Sequence, residues 1–263
     1  MAKQTEKEAR PETAAKQEPV SEPRIQKSTS REYLESLVVT VILALFGTTF
    51  LIQAFKIPSS SMEETLLIGD HLMVDKVSYA PSFLAGLLPY VPVERDQIIV
   101  FRYPLDPGTY FVKRVIGIPG DRIRLQDKTL YRNGVALDEP HAVHKSLRLH
   151  DYRDNFPTLP SPTAFPEWAD KLPEVMDGDE LVVPPSQYFV MGDNRDFSSD
   201  SRYWGFVPRE NIVGNPLVIY WSFETSSEEY RRTGVGDYAL RFLEIFTQFP
   251  QKTRWSRLFN LVR

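Results

Sequence analysis

An uncharged apolar run over residues 36–55 constrains this chain more than any other feature. As an α-helix rising about 1.5 Å per residue, the run reaches about 30 Å, the thickness of a bilayer's hydrocarbon core. A cleavable export signal is disfavoured, because a long polar tail precedes the run and Lys56-Ile57-Pro58 follows it in place of a small-residue cleavage pattern. We therefore predict an uncleaved transmembrane anchor over residues 31–56, with a buried core helix as the alternative.

The segment before the run predicts which side of the membrane the rest of the chain occupies. Residues 1–30 are rich in Lys, Glu, Gln, Pro and Ala, so we expect a disordered tail. Arg24, Lys27 and Arg31 favour a cytoplasmic N-terminus, although neighbouring glutamates weaken the contrast. This predicts a single-pass protein of the plasma (inner) membrane whose remaining residues are extracytoplasmic.

Composition narrows the possible chemistry. The 263 residues include 31 Lys and Arg against 35 Asp and Glu, a net charge of -4, so no nucleic-acid partner is expected. The chain has no cysteine, which excludes disulfides, thiolate nucleophiles and cysteine-ligated metals. His141 and His144 have a ligand-like spacing, but no carboxylate pattern supports them. We therefore expect no metal site.

Beyond Lys56 the pattern is that of a mainly β domain, which we assign to residues 57–225. Short apolar or alternating segments are separated by Pro, Gly, Asp and Asn. The predicted strands cover residues 97–102, 109–116, 129–132, 180–183, 187–191 and 216–221. Asn133-Gly134 predicts a type I′ hairpin, since both residues tolerate positive φ. Prolines and charges replace periodicity over residues 145–178, which predicts an inserted loop or small subdomain.

The C-terminal segment, residues 226–263, has a different pattern. Helical spacing of apolar residues predicts a helix over residues 237–249. Beyond this helix, four cations alternate with aromatic and aliphatic residues: Lys252, Arg254, Arg257 and Arg263. No acidic residue lies among them. Such a mixture suits an interfacial segment on anionic membrane phospholipid. An ordinary terminal helix packed on the domain is an equally supported alternative.

A serine cluster and one lysine could carry chemistry. The serines at 59–61 follow the anchor, and a serine-rich turn is more often a cap than a nucleophile. A nucleophile needs a base, and without cysteine or a convincing histidine the candidates are a desolvated lysine or a carboxylate. Lys113 shares a predicted strand face with Phe111 and Val115, where burial would lower its pKa enough to supply a neutral amine. The alternative is a lysine that extends to the strand edge.

Four segments together resemble the ordered motif set of bacterial type I signal peptidases. They are IPSSSMEETLLIGD at 57–70, GDHLMVDKVSY at 69–79, YFVKRVIGIPGD at 110–121 and GDNRDFSSDSRYWGFVP at 192–208. The anchor also stands where that family has one. The resemblance in order and spacing covers residues 31–223, and it implies an antiparallel, barrel-like β catalytic domain with neither a metal nor an organic cofactor.

The resemblance implies a role for each matching position. Ser61, before the motif methionine, corresponds to the nucleophile and Lys113 to the general base. Ser59 and the Ser61 N–H correspond to the oxyanion hole, and Ser198 to the hydroxyl that orients the lysine amine. Three further residues correspond to the supporting shell around the lysine: Asp193, Asp200 and Arg202. Five correspond to the lining of pockets for small side chains at positions -1 and -3 of the signal peptide: Ile57, Met62, Leu66, Phe111 and Val112.

Two positions depart from the family pattern. Glu64 stands where proline is usual, which adds a backbone N–H and a charge near the nucleophile. Phe111 stands where tyrosine is common, which removes a hydroxyl from a pocket wall. We expect altered loop rigidity or pH dependence from the first departure, and a modest change in substrate tolerance from the second.

These features predict a monomeric, membrane-anchored serine endopeptidase that removes signal peptides of the Ala-x-Ala type from exported preproteins with a Ser61/Lys113 dyad. A catalytically silent, membrane-anchored binding or assembly paralogue is the second hypothesis, which the intact dyad disfavours. The third is a self-cleaving serine/lysine protease related to the SOS repressors. The anchor and the lack of a DNA-binding helical domain count against it.

Overall fold

The computed structural model describes residues 29–79, 91–160, 163–231 and 234–262, and the chain divides into two units, residues 1–43 and 44–263. Residues 1–28, predicted to be a disordered tail, lie outside the described residues. Helix α1 (Thr29–Phe46) buries none of its residues and continues into one π-helical turn (Gly47–Leu51). The helical stretch Thr29–Leu51 has 23 residues, about 35 Å as a helix, and is long and apolar enough to cross a membrane.

The helix ends earlier than the apolar run predicts. Residues 52–56, expected in the anchor, instead form strand β1 (Ile52–Lys56). This strand pairs antiparallel with β2 (Asp70–Asp75), from Ile52 opposite Asp75 to Lys56 opposite His71. An apolar run cannot by itself distinguish a helix from a strand, and here the ladder to β2 decides.

The larger sheet has eight strands and carries the candidate site. Besides β1 and β2 it contains β3 (Ile98–Tyr103), β4 (Asp106–Gly117), β10 (Gln187–Met191), β11 (Val207–Pro208), β12 (Ile212–Ser222) and β13 (Asn260–Leu261). The strand order is β1-β2-β12-β3-β4-β10-β11, with β13 beside β12, and every pair is antiparallel. The prediction of a mainly antiparallel β fold is confirmed.

A smaller, five-stranded sheet lies between β4 and β10 in the chain. It contains β5 (Arg122–Gln126), β6 (Thr129–Arg132), β7 (Val135–Ala136), β8 (Met176–Asp177) and β9 (Glu180–Val182), in the order β7-β6-β5-β9-β8. Asn133 (φ 55°) and Gly134 (φ 77°) join β6 to β7, with Arg132 opposite Val135. Two consecutive positive φ angles make the predicted type I′ hairpin.

The described part of residues 145–178 contributes side chains to the core. It contains α2 (Asp151–Asp154), α3 (Pro166–Lys171) and a 3₁₀ turn (Leu172–Val175). Four of its apolar residues are buried against the two sheets: Tyr152, Phe156, Trp168 and Leu172. Both the Tyr152 hydroxyl and the Trp168 indole N–H donate to the Arg202 carbonyl. This segment therefore supports the short helix that carries Arg202.

The remaining helices are α4 (Ser201–Trp204), α5 (Ser227–Arg231) and α6 (Val235–Lys252), and α6 contains the predicted helix 237–249. Two cations expected to face lipid instead bond inside the domain. Arg254 Nη1 donates to the Ile68 carbonyl (2.9 Å), and Arg257 pairs with the buried Asp70 (2.6 Å). Trp255 and Phe259 remain exposed. The apolar half of the interfacial pattern is thus exposed, while these two cations are half-buried and bonded to the domain.

Candidate active site

Ser61 lies in the loop that joins β1 to β2. At the base of this loop the Ile57 N–H donates to the Asp70 carbonyl (2.9 Å). Met62 and Leu66 project into the core beneath it, with 1% and 0% of their surface exposed. Burial of these two side chains fixes the loop from below, so Ser61 is presented by a constrained backbone.

Lys113, on β4, lies next to Ser61. Its Nζ is 2.6 Å from the Ser61 Oγ, and both side chains are buried. Burial lowers the pKa of Lys113 from 10.5 to about 8, although the Asp200 and Asp193 carboxylates act in the opposite direction. The Phe111 ring centroid is 5.3 Å from Nζ. The amine is therefore within reach of the Ser61 proton, and much of it is neutral near its lowered pKa.

Asp200 and Arg202 form a fully buried, bidentate ion pair. The Arg202 Nε and Nη2 donate to the two Asp200 oxygens at 2.9 and 2.8 Å. Burial alone would raise the pKa of Asp200, but the Arg202 guanidinium and neighbouring donors outweigh this effect and lower it. The Gly192 N–H is one of those donors, at 3.2 Å. Asp200 therefore stays ionised and ties the loop after β10 to α4.

Ser198 is buried close to Ser61. Its Oγ lies close enough to the Asp200 carboxylate to help lower the pKa of Asp200, but within the described part of the chain it makes no hydrogen bond of ordinary length and angle. A Cβ on Gly192 would lie 2.4 Å from both the Ser198 Oγ and the Ser61 carbonyl oxygen, so only glycine fits between them. The structure brings Ser198 beside the nucleophile's backbone but not into a hydrogen bond with Lys113. Its orienting role stays a prediction.

Asp193 links β4, the strand that carries Lys113, to the loop that carries Ser61. Arg114, which follows Lys113, donates from Nε and Nη2 to the two Asp193 oxygens at 2.8 and 2.7 Å. The Thr65 hydroxyl donates to the same carboxylate at 2.6 Å. Both charged side chains are buried, so this bidentate pair sits in a low dielectric where its geometry is stringent. It fixes β4 relative to the loop.

Asn194 holds the same loop through two more bonds. Its N–H donates to the Ser61 carbonyl and its Nδ2 to the Ser60 carbonyl, each at 3.1 Å. Sequence reasoning assigned no role to Asn194, Arg114 or Thr65. Asn194 and Arg114 stand next to assigned motif positions, and that adjacency was their only signal. Nothing in the local sequence singles out Thr65.

The two predicted oxyanion donors have no hydrogen-bond partner among the residues that the structure describes. Ser59 is exposed, two residues before Ser61. Over the described residues, neither the Ser59 hydroxyl nor the Ser61 N–H donates a hydrogen bond to the protein. Both donors are therefore available to an oxygen of a bound substrate.

The residues predicted to line substrate pockets fall into two groups. Ile57, Met62 and Leu66 belong to the buried core under the loop, with at most 3% of their surface exposed. Phe111 and Val112 on β4 are only half-buried. The first group packs beneath the loop and leaves little surface that a substrate could contact, whereas the second group leaves more of its surface exposed. Their contacts with substrate stay predictions.

The two histidines weighed as metal ligands each lie near one carboxylate. His141 Nε2 is 3.8 Å from a Glu139 oxygen, and His144 Nδ1 is 3.9 Å from an Asp196 oxygen. Across residues 29–79, 91–160, 163–231 and 234–262, no three His, Asp or Glu side chains are placed to hold a metal ion.

Comparison with known proteins identifies the family. The family model described as "Signal peptidase, peptidase S26" matches residues 30–221. Signal peptidase I of Pseudomonas fluorescens is 35% identical over 216 residues, covering 73% of this chain and 72% of the relative. Signal peptidase I of Aquifex aeolicus (strain VF5) is 34% identical over 230 residues, covering 75% and 86%.

One solved structure, a signal peptidase I from Enterococcus faecalis V583, is 34% identical and covers 48% of this chain and 97% of its own, with a TM-score of 0.35. That TM-score is too low to support an argument about the fold. The family model matches well over half of the chain, and the relatives agree with it. This chain therefore belongs to the signal peptidase family, peptidase S26.

Proposed function

We propose that this member of the signal peptidase family is a serine endopeptidase that cleaves signal peptides from exported preproteins with a Ser61/Lys113 dyad. The observation that carries the proposal is the 2.6 Å approach of the Lys113 amine to the Ser61 hydroxyl in a buried site. Burial favours the neutral amine, which is the form that can accept a proton. A buried lysine held against a serine has no evident structural purpose that a neutral side chain would not serve better.

The chemistry follows from these positions. Neutral Lys113 accepts the Ser61 proton as Oγ attacks the scissile carbonyl, and the Ser61 N–H and the Ser59 hydroxyl bind the resulting oxyanion. The Lys113 ammonium then protonates the leaving amine, which departs and leaves an ester on Ser61. Neutral again, Lys113 takes a proton from water as the water attacks the ester. Returning that proton to Ser61 Oγ releases the signal peptide and restores the dyad.

The free edge of β4 supports binding of the substrate as an added strand. Strand β3 pairs with β4 at residues 110–114, whereas β10 reaches only 114–117, so residues 110–113 have one edge without a partner among the described strands. The rings of Phe55 on β1 and Tyr110 on β4 meet at 5.2 Å, which places β1 across from that edge. An extended peptide between them would pair with β4 and run past Lys113.

Pairing of this kind also accounts for a preference for small residues. Alternate side chains of an extended strand point the same way, so positions -1 and -3 would face one wall. The floor beneath the loop is closed, as the burial of Met62 and Leu66 indicates. A shallow apolar pocket admits alanine and rejects larger side chains by overlap. These features predict cleavage after Ala-x-Ala sequences.

The predicted transmembrane helix extends the proposal to localisation. Residues 29–51 would span the plasma (inner) membrane once, with the N-terminus cytoplasmic and the β domain extracytoplasmic as a monomer. Exposed apolar side chains near the C-terminus would rest on phospholipid: Leu243, Phe246, Trp255, Phe259 and Leu261.

Because the chain has no cysteine, a single introduced cysteine reports which side of the membrane its segment occupies. An impermeant maleimide should label Asp106→Cys, but not Ala14→Cys, in intact cells; the reverse pattern would overturn the orientation.

Cleavage of a preprotein with an Ala-x-Ala site tests the dyad. Wild type purified in detergent should release the signal peptide, while Ser61→Ala and Lys113→Ala should lose at least about 10³-fold in kcat. Ser60→Ala, in the same turn, is the matched control and should keep normal activity. Wild-type rates in either dyad variant would refute the dyad. A wild type inert on several preproteins would favour a silent, anchored binding or assembly paralogue.

A further inference from the structure

We propose that Arg257, close to the C-terminal end of the chain, is a positioning residue that holds the nucleophile's loop in its catalytic geometry. The inference rests on the proposed function of Ser61 and Lys113. It extends that function by giving Arg257 a task in catalysis, in place of the contact with anionic lipid that its charge suggested, while the exposed apolar side chains of the segment stay available to the membrane.

Arg257 bonds at once to Thr65 in the loop and to Asp70, the first residue of β2. Its Nε and Nη2 donate to the two Asp70 oxygens at 3.1 and 2.6 Å, and Nη2 also donates to the Thr65 carbonyl at 2.9 Å. Asp70 is fully buried and also accepts from the Ser222 hydroxyl and the Leu67 N–H. Only a planar guanidinium can serve the carboxylate and the carbonyl together in this way.

Thr65 connects this contact to the catalytic pair. Its carbonyl accepts from Arg257, while its hydroxyl donates to Asp193, which is bonded in turn to Arg114 beside Lys113. The residue four positions after Ser61 is therefore held from two sides. Loss of either of these hydrogen bonds would let the loop, and Ser61 with it, move relative to β4.

The C-terminal segment is itself fixed, so Arg257 can act as a rigid support. The Phe259 N–H donates to the Ile219 carbonyl at 2.8 Å, and β13 pairs with β12 just beyond it. Before it, Arg254 Nη1 bonds the Ile68 carbonyl of the same loop. Arg257 thus projects from a short 3₁₀ turn (Trp255–Arg257) whose two ends are both bonded to the domain.

Replacement of Arg257 should affect turnover more than substrate binding. In Arg257→Gln we expect kcat to fall about 10- to 100-fold, since small misplacements of a reacting group have effects of this size, while KM stays within about threefold. A looser loop also admits water to Lys113, which faces Asp200, Asp193 and Arg202 and whose pKa is lowered mainly by burial. The acid limb of kcat should therefore move up by about one pH unit.

A variant that only lowers the folded fraction would scale kcat without moving this limb. Arg257→Lys keeps the charge beside Asp70 but cannot reproduce the fork. It should therefore fold and still show the shifted limb. Arg124→Gln is the matched control, because Arg124 pairs with Asp179 on the smaller sheet, away from the loop. It should leave both kcat and the limb unchanged.

The outcomes separate this inference from the proposed function. An inactive wild type, or a fully active Ser61→Ala, would refute the dyad itself. With an active dyad, a normal acid limb in both Arg257 variants would reduce Arg257 to a stabilising contact and overturn the inference. Failure of both variants to fold would lead to the same conclusion.

Discussion

At the scale of single residues, the role proposed for Lys113 makes its pKa the property that sets the pH range of cleavage. Lowered to about 8 by burial, it predicts that kcat/KM rises with pH below that value and levels off above it. The sign follows from the base, which acts only when deprotonated. Initial rates of peptide cleavage in detergent from pH 6 to 10 measure it. A limb near pH 6 to 7 would point to a histidine instead and contradict the assignment.

The same burial makes Lys113 costly for stability. Its pKa is higher in the unfolded chain, so the unfolded state binds more protons between pH 8 and 10.5, and at pH 7 the native state bears the whole penalty. Lys113→Met should remove roughly 3 kcal/mol of this penalty while abolishing activity. Urea unfolding at pH 7 and pH 10 measures it, and the gain should shrink at the higher pH. An equal or smaller stability than wild type at pH 7 would be inconsistent with this account.

Gly192 is the residue where the smallest change should do most damage. An alanine Cβ would meet the Ser61 carbonyl and the Ser198 Oγ at 2.4 Å. The hydroxyl can rotate, but the carbonyl is backbone and accepts from Asn194, so Ser61 itself must shift. Gly192→Ala should lower kcat by at least about tenfold and stability by about 1–3 kcal/mol. Gly236→Ala, whose Cβ would meet nothing within 4 Å, is the control. Normal kcat in Gly192→Ala would show that the loop yields easily.

At the scale of elements, the loop after the nucleophile has a conformation that the family's usual proline could not adopt. Glu64 has φ 78°, whereas proline is fixed near -65°. Glu64→Pro should therefore cost at least about 1 kcal/mol and lower kcat, because the loop containing Ser61 must rearrange. Glu64→Gly should instead gain up to about 1 kcal/mol. Glu64→Ala, which keeps the strained φ, is the neutral reference for thermal unfolding. A stable, fully active Glu64→Pro would contradict this view of the loop.

The elements that sequence could predict are those whose information is local. Alternation marked β4, a short apolar run marked β10 and Asn133-Gly134 marked its hairpin, because each pattern is complete within a few residues. Residues 52–56 were misassigned to the anchor, since their partners on β2 lie beyond a loop. Ser61 and Lys113 are 52 positions apart and Arg257 and Asp70 are 187 apart. The first pair was suggested by a motif resemblance. No local pattern signals the second.

At the scale of the whole molecule, α1 and the β domain have separable tasks. Helix α1 buries none of its residues, whereas the sheet core, the dyad and the Arg257 contacts all lie within residues 44–263. Removing residues 1–43 should therefore leave catalysis intact and remove only the concentration of enzyme and signal helix in one bilayer. That concentration is worth a large factor, because tethering converts a bimolecular encounter into an intramolecular one.

The truncated protein should thus respond differently to two substrates. On a short soluble peptide, kcat should stay within about threefold of the full chain, since the catalytic geometry is unchanged. On a preprotein inserted in liposomes, the rate should fall by about 10²-fold or more, because the effective concentration is lost. Parallel assays of both chains, with circular dichroism to verify the β fold, measure the two ratios. An equal loss on both substrates would mean that α1 takes part in the active geometry, and equal retention would mean that the exposed C-terminal apolar side chains suffice to hold the enzyme on the membrane.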